Sequence, residues 1–218
     1  MHIKLIKVLF GVIMKLVSWG VSYKLSQRFN VVLDLIYTMW IRNFIGEVGK
    51  DVSFQKPLRL QGGGSRRIRI GDCTSIQSHS ILGCWQEYGN QHFEPSISIG
   101  NHCCIGEYNH ITACNRIIIG DGLLTGRYVY IGDNSHGGLS VEEASVPPAK
   151  RALKSKGEIK IGNNVWIGDK VTILGNVTIG DNVIIGANSV VTHDLPSNCV
   201  AAGNPVKIVK RLNDDRKS

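Results

Sequence analysis

The clearest pattern in the chain is an aliphatic residue at every sixth position from residue 161 onward. In three of these six hexads Gly followed by Asn or Asp fills the second and third positions, and in five of them the fifth residue is small or β-branched. The repeated first positions are Ile161, Ile167, Ile173, Ile179, Ile185 and Val191. Gly, Asn and Asp accept the left-handed backbone of a tight corner, so each hexad predicts a short strand that turns and buries its first residue. Three hexads would complete one turn, which predicts a parallel β-helix with a stacked core of Ile and Val.

The same code continues upstream, where two gaps interrupt it. Its earlier first positions are Val48, Phe54, Leu60, Ile70, Ile76, Leu82, Ile99, Ile105, Ile111, Ile119, Thr125 and Ile131. The register breaks at 83–96 and at 137–158, which we predict to be loops outside the coils. Insertions of this length in a repeat protein usually carry function. The chain therefore divides into a β-helix at 47–205, an N-terminal segment at 1–46 and a basic C-terminal segment at 206–218.

The N-terminal segment predicts an appendage of amphipathic helices. Lys4, Lys7 and Lys15 fall on one helical face and leucine, valine and isoleucine on the other. A second apolar helix is predicted at Val31–Ile45. The uncharged stretch Val8–Met14 is too short to span a bilayer. Two interpretations stay open: the helices pack against the main domain or a sister subunit, or they attach peripherally to an anionic inner membrane. A cytoplasmic location fits either one.

Charge and cysteine content narrow the partners only a little. The net charge is +8, and residues 1–60 hold nine Lys and Arg against three Asp and Glu. Basic charge attracts nucleic acid, anionic lipid and nucleotide phosphates alike, but no nucleic-acid-binding motif accompanies it, so we predict no nucleic-acid partner. The six cysteines form no CxxC pair and no regular framework, which favours reduced thiols.

His136 is the strongest candidate for chemistry. It occupies the sixth position of the hexad IGDNSH, where side chains point outward, and it directly precedes the 137–158 loop. A histidine titrates near neutrality, so it can take the proton of an alcohol that attacks a thioester. The alternative is an ordinary surface histidine.

Four runs of the sequence resemble the hexapeptide-repeat O-acetyltransferases of sugars and xenobiotics, especially those that modify O-antigen, colanic acid and capsular polysaccharides. These runs are YIGDNSHGG, PPAKRALKSKGEIKIGNNVWIG, IGANSVVTHDLP and AAGNPVKIVK, and the likeness covers about residues 48–212. The resemblance implies a left-handed β-helix, acetyl-CoA as donor, a saccharide acceptor and a homotrimer with sites between subunits. It also implies that His136 is the general base.

The resemblance further suggests which residues hold the two substrates. Glu107, Asn109, Asn115 and Asn134 are candidates for binding acceptor hydroxyls, although each could equally be a turn residue. At the position of Asn115 related sugar acetyltransferases have an aspartate. Trp166, Asp169, Gly186, Ala187, Thr192 and His193 are expected along the pantetheine arm and the thioester, and Lys207 and Lys210 at the nucleotide phosphates.

Two other functions remain as alternatives. A β-helix can serve only as a scaffold or assembly module, because fold does not fix function. A zinc carbonic-anhydrase-like site would need three convergent histidines. His102 and His110 are eight residues apart and no HxxxxH spacing occurs, so no metal is predicted.

Overall fold

A computed structural model describes residues 2–20, 22–138 and 140–212, and it begins with two helices. Helix α1 spans His2–Gly20 and helix α2 spans Tyr23–Ile41, followed by a 3-10 turn at Arg42–Phe44. The predicted second helix, Val31–Ile45, was therefore wrong at both ends. Helix α2 begins earlier because the Ser22 hydroxyl caps it, accepting a hydrogen bond from the Leu25 amide at 3.2 Å.

Helix α2 is fixed to the first coil by hydrogen bonds and by apolar burial. The Thr38 hydroxyl accepts from the Phe54 amide at 2.9 Å and donates to the Phe54 carbonyl at 3.2 Å. The Tyr37 hydroxyl makes the same pair of bonds to Leu58. Ile41 and Ile45 join the core. Helix α1 behaves differently, since every α1 side chain that the structure describes is exposed.

The rest of the described chain winds into six complete coils of a left-handed parallel β-helix, so the predicted fold is confirmed. Each coil contributes one strand to each of three sheets, called here the first, second and third sheet in the order in which a coil visits them. Coils one and two comprise β1 Glu47–Val48, β2 Ser53–Phe54, β3 Arg59–Gln61, β4 Ile68–Ile70, β5 Ser75–Ile76 and β6 Ile81–Cys84. A hairpin outside the coils follows, with β7 Glu87–Tyr88 and β8 Gln91–His92.

The pattern then resumes for four further coils. Coils three and four comprise β9 Ser96–Ile99, β10 Cys104–Ile105, β11 His110–Ala113, β12 Arg116–Ile119, β13 Leu124–Thr125 and β14 Tyr130–Gly132. The second interruption contains β15 Asn134–His136, α3 Val141–Ala144, a 3-10 turn at Pro148–Lys150 and β16 Leu153–Ser155. Coils five and six comprise β17 Ile159–Ile161, β18 Trp166–Ile167, β19 Thr172–Leu174, β20 Val177–Ile179, β21 Ile184–Ile185 and β22 Val190–Val191.

The predicted first positions form the core columns. Ile119 pairs in register with Ile99 below and Ile161 above, and Ile161 pairs with Ile179. All four are at most 3% exposed. Each such aliphatic side chain contributes on the order of 1.5–3 kcal/mol by leaving water. Only in the first coil are first positions partly buried, at Val48 and Leu60. Stacking of like residues thus holds the coils in register.

The residues with a left-handed backbone at the corners are not the second-position glycines. Positive φ falls at the fourth position of the hexads, as at Asn164 (54°), Asn182 (55°) and Asn188 (58°), where asparagine tolerates it. The second-position glycine serves another purpose. A Cβ on Gly162 would lie 2.8 Å from the carbonyl carbon of Gly180 in the next coil. Glycine is required there because successive coils approach closely, not because of φ.

The third-position Asn and Asp residues connect the coils. Asp181 Oδ1 accepts from the Asn163 amide at 2.6 Å, Asn163 Oδ1 from the Asp121 amide at 2.9 Å, and Asp121 Oδ1 from the Asn101 amide at 2.7 Å. The Asn101 amide lowers the pKa of Asp121. This ladder satisfies corner amides that the sheets leave without partners.

The C-terminal end closes the second sheet. Strand β23 (Cys199–Ala202) pairs parallel with β21, and β24 (Lys207–Arg211) pairs antiparallel with β23. The predicted boundary at 206 therefore falls inside a hairpin. Residues 213–218 of the predicted basic segment lie outside the described residues.

None of the helices in the described residues is long and apolar enough to cross a membrane.

Candidate active site

Two excursions leave the coils at the same corner, between the third and the first sheet. The first, residues 85–95, follows coil two, and the second, residues 133–158, follows coil four. Only coil three lies between them, so they meet. Gln91 exchanges two hydrogen bonds with the Leu153 backbone, at 3.0 and 2.7 Å. The predicted loop at 83–96 agrees closely, whereas the second begins at 133 rather than 137.

His136 lies in the second excursion and not in a hexad, so that part of the prediction was wrong. Strand β14 ends at Gly132, and His136 then pairs with Leu153 in the antiparallel ladder of β15 and β16. The expected exposure of His136 is observed. The ladder holds the imidazole on a two-stranded support instead of a coil corner.

The buried carboxylate of Asp133 directs the chain away from the coils at this point. Asp133 is 1% exposed, and its two oxygens accept the amides of Cys114 and Asn115, each at 2.9 Å. Burial raises the pKa of Asp133, and the Cys114 amide acts in the opposite direction. Asp133 thereby ties the base of the second excursion to the corner between coils three and four.

Tyr88 from the first excursion contacts His136 and favours one tautomer of its ring. The Tyr88 hydroxyl donates to the Ala149 carbonyl at 2.9 Å, and its oxygen lies 3.3 Å from His136 Nδ1. A tyrosine hydroxyl has one proton to donate, so toward His136 it acts as acceptor. Nδ1 of a neutral His136 then carries the hydrogen, and the lone pair is on Nε2. The rings meet edge to face with centroids 5.3 Å apart, which restrains the imidazole further.

His136 opens onto a cavity of about 220 Å³ between the two excursions. Its floor is the outer face of the third sheet and its walls come from both excursions. The lining residues are Trp85, Tyr88, His110, Thr112, Tyr130, Asn134, Ser135, His136 and Leu153. The Trp85 indole donates to the Thr112 hydroxyl at 3.1 Å, which fixes one wall to the floor. Aromatic surfaces with a few convergent polar groups are typical of small-molecule sites.

His110 is a second histidine of this cavity, and sequence reasoning missed it. Its Nε2 atom is buried and has no hydrogen-bond partner in the described part of the chain. Burial lowers the pKa of His110, which favours the neutral ring, and that ring meets Tyr130 edge to face at 5.5 Å. His110 is the sixth residue of its hexad, the outward position that singled out Trp166, so the signal was present. A buried polar atom without a partner is costly, so Nε2 of His110 is a candidate to pair with a group that enters the cavity.

Of the four predicted acceptor-binding residues, only Asn134 lines the cavity. Its amide donates to the Thr112 carbonyl at 3.2 Å. The prediction for Asn109 was wrong, because its side chain is 1% exposed and faces the core. It donates to the Thr125 hydroxyl and accepts from the Val129 amide at 2.7 Å. Asn115 is exposed beside Asp133 but outside the lining. Glu107 sits at the corner between the second and third sheets, paired with Arg127 at 3.0 Å.

The predicted cofactor residues lie away from the His136 cavity. Trp166 is 53% exposed on the outer face of the second sheet, in register between Leu124 and Ile184. Asp169 is a corner residue whose carboxylate accepts the Arg127 amide at 2.8 Å. Gly186 and Ala187 follow β21, Thr192 and His193 follow β22, and Lys207 and Lys210 are exposed on β24. Within one subunit none of them lines the cavity beside His136.

Within residues 2–20, 22–138 and 140–212, no group of three His, Cys, Asp or Glu side chains is arranged to hold a metal ion. The zinc alternative has no ligand set in these residues.

Comparison with known proteins agrees with this architecture. Residues 158–193 match the family described as bacterial transferase hexapeptide (six repeats). WbbJ of Escherichia coli (strain K12), which is named for O-acetyl transfer in lipopolysaccharide biosynthesis, is 38% identical over 125 residues, 56% of this chain and 63% of WbbJ. The match thus spans a little under two thirds of that relative's length.

Two solved structures share the fold. A galactoside acetyltransferase in complex with coenzyme A is 28% identical, with a TM-score of 0.54 over 80% of this chain and 68% of that one. AntD, an N-acyltransferase from Bacillus cereus solved with dTDP and coenzyme A, has a TM-score of 0.63 at 22% identity over 80% and 89% of the two chains. The resemblance to hexapeptide-repeat acetyltransferases that the sequence indicated is confirmed.

The role of Asp133 can be tested through stability. Asp133→Ala leaves the buried amides of Cys114 and Asn115 without their acceptor, which we expect to cost about 1–3 kcal/mol in unfolding free energy. Urea denaturation of the full chain measures it. An unchanged midpoint would show that the carboxylate does not hold this corner.

The same carboxyl predicts a dependence on pH. Folding raises the pKa of Asp133. The neutral carboxyl therefore contributes stability in full below the ordinary carboxyl pKa of about 4, and this contribution is lost as the pH rises through the raised pKa of the folded state. Asp133→Asn leaves one of the two buried amides without an acceptor at every pH but cannot ionise, so its stability should gain on that of the wild type as the pH rises through that window. Asp51→Asn, an exposed carboxyl, is the matched control and should show no such gain.

Proposed function

We propose that this protein is an acyl-CoA-dependent O-acyltransferase that moves an acetyl group from acetyl-CoA to a hydroxyl of a saccharide in polysaccharide biosynthesis. The observation that carries the proposal is the Tyr88–His136 pair, which leaves Nε2 of His136 as a proton acceptor beside a cavity. The coenzyme A bound by the galactoside acetyltransferase and the name of WbbJ support the donor and the acceptor class. A scaffold would need neither the pair nor the cavity.

The geometry supports a direct transfer with His136 as general base. An acceptor hydroxyl in the cavity donates to Nε2, and His136 takes its proton as the oxygen attacks the thioester carbonyl. While the imidazole is positive, its Nδ1–H remains bonded to the Tyr88 oxygen, which stabilises the charge. The tetrahedral intermediate collapses by breaking the carbon–sulfur bond, and the proton on Nε2 passes to the departing thiolate. Tyr88 is thus a positioning residue and His136 the catalytic one.

The cavity lining suits a sugar ring. Trp85, Tyr88 and Tyr130 present aromatic surfaces, against which the C–H faces of a pyranose pack. Thr112 at the floor and Asn134 in the wall supply polar groups, and the unpartnered Nε2 of His110 can accept from or donate to a ring hydroxyl. We assign His110 and Asn134 to acceptor binding in place of Asn109, Asn115 and Glu107.

The donor site requires a second copy of the chain. Trp166 and the two β24 lysines lie on the outer face or edge of the second sheet, while His136 projects from the third-to-first corner. We propose a homotrimer in which the second sheet of one subunit faces the His136 corner of its neighbour. Trp166 then contacts pantetheine, and Lys207 and Lys210 the phosphates, with Asp169, Gly186, Ala187, Thr192 and His193 along the arm.

Helix α1 provides a surface for an anionic membrane. Its exposed side chains include Ile6, Leu9, Phe10 and Ile13. Lys4, Lys7, Lys15, Lys24 and Arg28 precede Asp34, the first acidic residue of the chain. An apolar face with several positive charges and no negative one matches an anionic lipid surface. We propose a cytoplasmic enzyme that binds the inner membrane peripherally through α1.

His136→Ala should retain the fold and lose acetyl transfer by roughly 10²–10⁴-fold, the value of a general base. Tyr88→Phe removes the acceptor for Nδ1–H, so we expect kcat to fall with little change in the acceptor KM. Tyr128→Phe, an exposed tyrosine outside the cavity, is the control. Thiol release from acetyl-CoA, with acceptors screened among nucleotide-linked and lipid-linked sugars, measures all three. Full activity in His136→Ala would refute the assignment.

The subunit arrangement makes a separate prediction. Sedimentation equilibrium should give three times the 23.9 kDa of the chain, and Trp166→Ala should raise the KM for acetyl-CoA more than it lowers kcat. A monomer with full activity would show that the donor site is placed wrongly.

Membrane contact is testable by co-sedimentation with vesicles. The full chain should bind phosphatidylglycerol vesicles and not phosphatidylcholine vesicles. Replacing Lys4, Lys7 and Lys15 by Gln should weaken binding on the order of a hundredfold, from about 1 kcal/mol per lysine at an anionic surface. Replacing Lys150, Lys156 and Lys170 instead removes the same charge elsewhere and should have no effect. Equal losses in both variants would contradict a role for α1.

A further inference from the structure

A cavity rich in arginine lies on the outer face of the first sheet, apart from the His136 cavity. Its volume is about 550 Å³. Four guanidinium groups line it, from Arg66, Arg67, Arg69 and Arg116. Two carboxylates, Glu47 and Glu94, and the hydroxyls of Ser96 and Ser98 lie among them. Four positive against two negative side chains leave an excess of two positive charges.

The arginines are only weakly committed to their present partners. Arg69 pairs with Glu47 at 3.2 Å, Arg67 with Glu94 at 3.7 Å and Arg116 with Glu158 at 3.8 Å. The three glutamate side chains are 70%, 87% and 35% exposed. Exposed pairs of this kind contribute about 0–1 kcal/mol. Arg66 donates to the Ile45 carbonyl at 3.3 Å and forms no ion pair with the described residues. The guanidinium forks are therefore available to an anion with several oxygens, which they bind in pairs.

Shared lining residues link the arginine cavity to the His136 cavity through a third one. A third cavity of about 610 Å³ runs along the first excursion. It shares Trp85 with the His136 cavity, and Arg67 and Glu94 with the arginine cavity. A single extended molecule can therefore contact the arginines and reach His136 around the corner of the solenoid.

We propose that the arginine cavity binds a phosphate or diphosphate group of the acceptor, while the attached saccharide extends along the first excursion to His136. The inference deepens the proposed function and rests on it for the identity of the ligand. It makes the acceptor an activated or carrier-linked sugar, because free sugars have no such group.

The position of the cavity relates it to the N-terminal helices. Gly46 and Glu47 of its lining follow directly after the helical segment, and Arg66 is bonded to Ile45. A diphosphate held here would lie at the junction between α2 and the first coil. Both a nucleotide and a lipid carrier present a diphosphate, so the probes must separate these two sources.

The test is calorimetric titration of the full chain, with coenzyme A present to occupy the donor site. The probes are inorganic pyrophosphate, uridine diphosphate and geranyl diphosphate. We expect pyrophosphate to bind and Arg66→Gln/Arg69→Gln to raise its Kd at least tenfold. Lys50→Gln/Lys56→Gln removes the same charge at other corners of the first coil and should leave the Kd unchanged. Tighter binding of geranyl than of uridine diphosphate would identify a lipid carrier, and the reverse a nucleotide.

Three results would overturn the proposal: no binding of any probe, no change in the arginine variant, or equal weakening in the lysine variant. Failure of the proposed function looks different. If pyrophosphate binds as expected but the wild type transfers no acetyl group to any acceptor, the anion site stands and the acyltransferase assignment fails. If transfer proceeds and no probe binds, the assignment stands and the anion site fails.

Discussion

Register between coils is the constraint on which the rest of this structure depends. An aliphatic side chain is buried only when the same position of the next coil lies directly above it, as Ile119 does over Ile99. Neither excursion disturbs this stack. The chain leaves after Gly132 and returns at Ile159, which pairs with Ile117 as a neighbouring coil would without an insertion. The extra residues are inserted at the corner because an insertion within a strand would shift every following core side chain out of register.

The stacked coils position the residues of the His136 cavity. Its floor residues His110, Thr112 and Tyr130 stand on two adjacent strands of a rigid sheet. Hydrogen bonds fix the walls, since Trp85 donates to Thr112 and Gln91 exchanges two bonds with the Leu153 backbone. Sites of this kind are precise because the groups that touch the ligand are held by a second set of bonds.

The hexads predicted most of the core correctly because first and fifth positions point inward, and from the second coil onward this rule buries every first position. That rule also buries Asn109, the fifth residue of its hexad, and the error there came from weighing its polarity above its position. Trp85 and Tyr88 could not be found this way. They lie where the register stops, and their proximity to His136 results from the stacking of coil three between two loops, which no local pattern encodes. The need for glycine at the second position could not be predicted from local sequence either, because the contact that excludes a Cβ at Gly162 comes from the next coil.

The meeting of the two excursions has a consequence for how the molecule matures. The bonds that build the cavity join residues far apart in sequence, 48 positions for Tyr88 and His136 and 62 for Gln91 and Leu153. Such long loops close late, since their entropy cost must be met by contacts already formed. We therefore expect coils two to four to stack before His136 acquires its partner. A nascent or frayed solenoid would have a β-helical core without the Tyr88–His136 contact, so the base that we propose would be complete only in the folded chain.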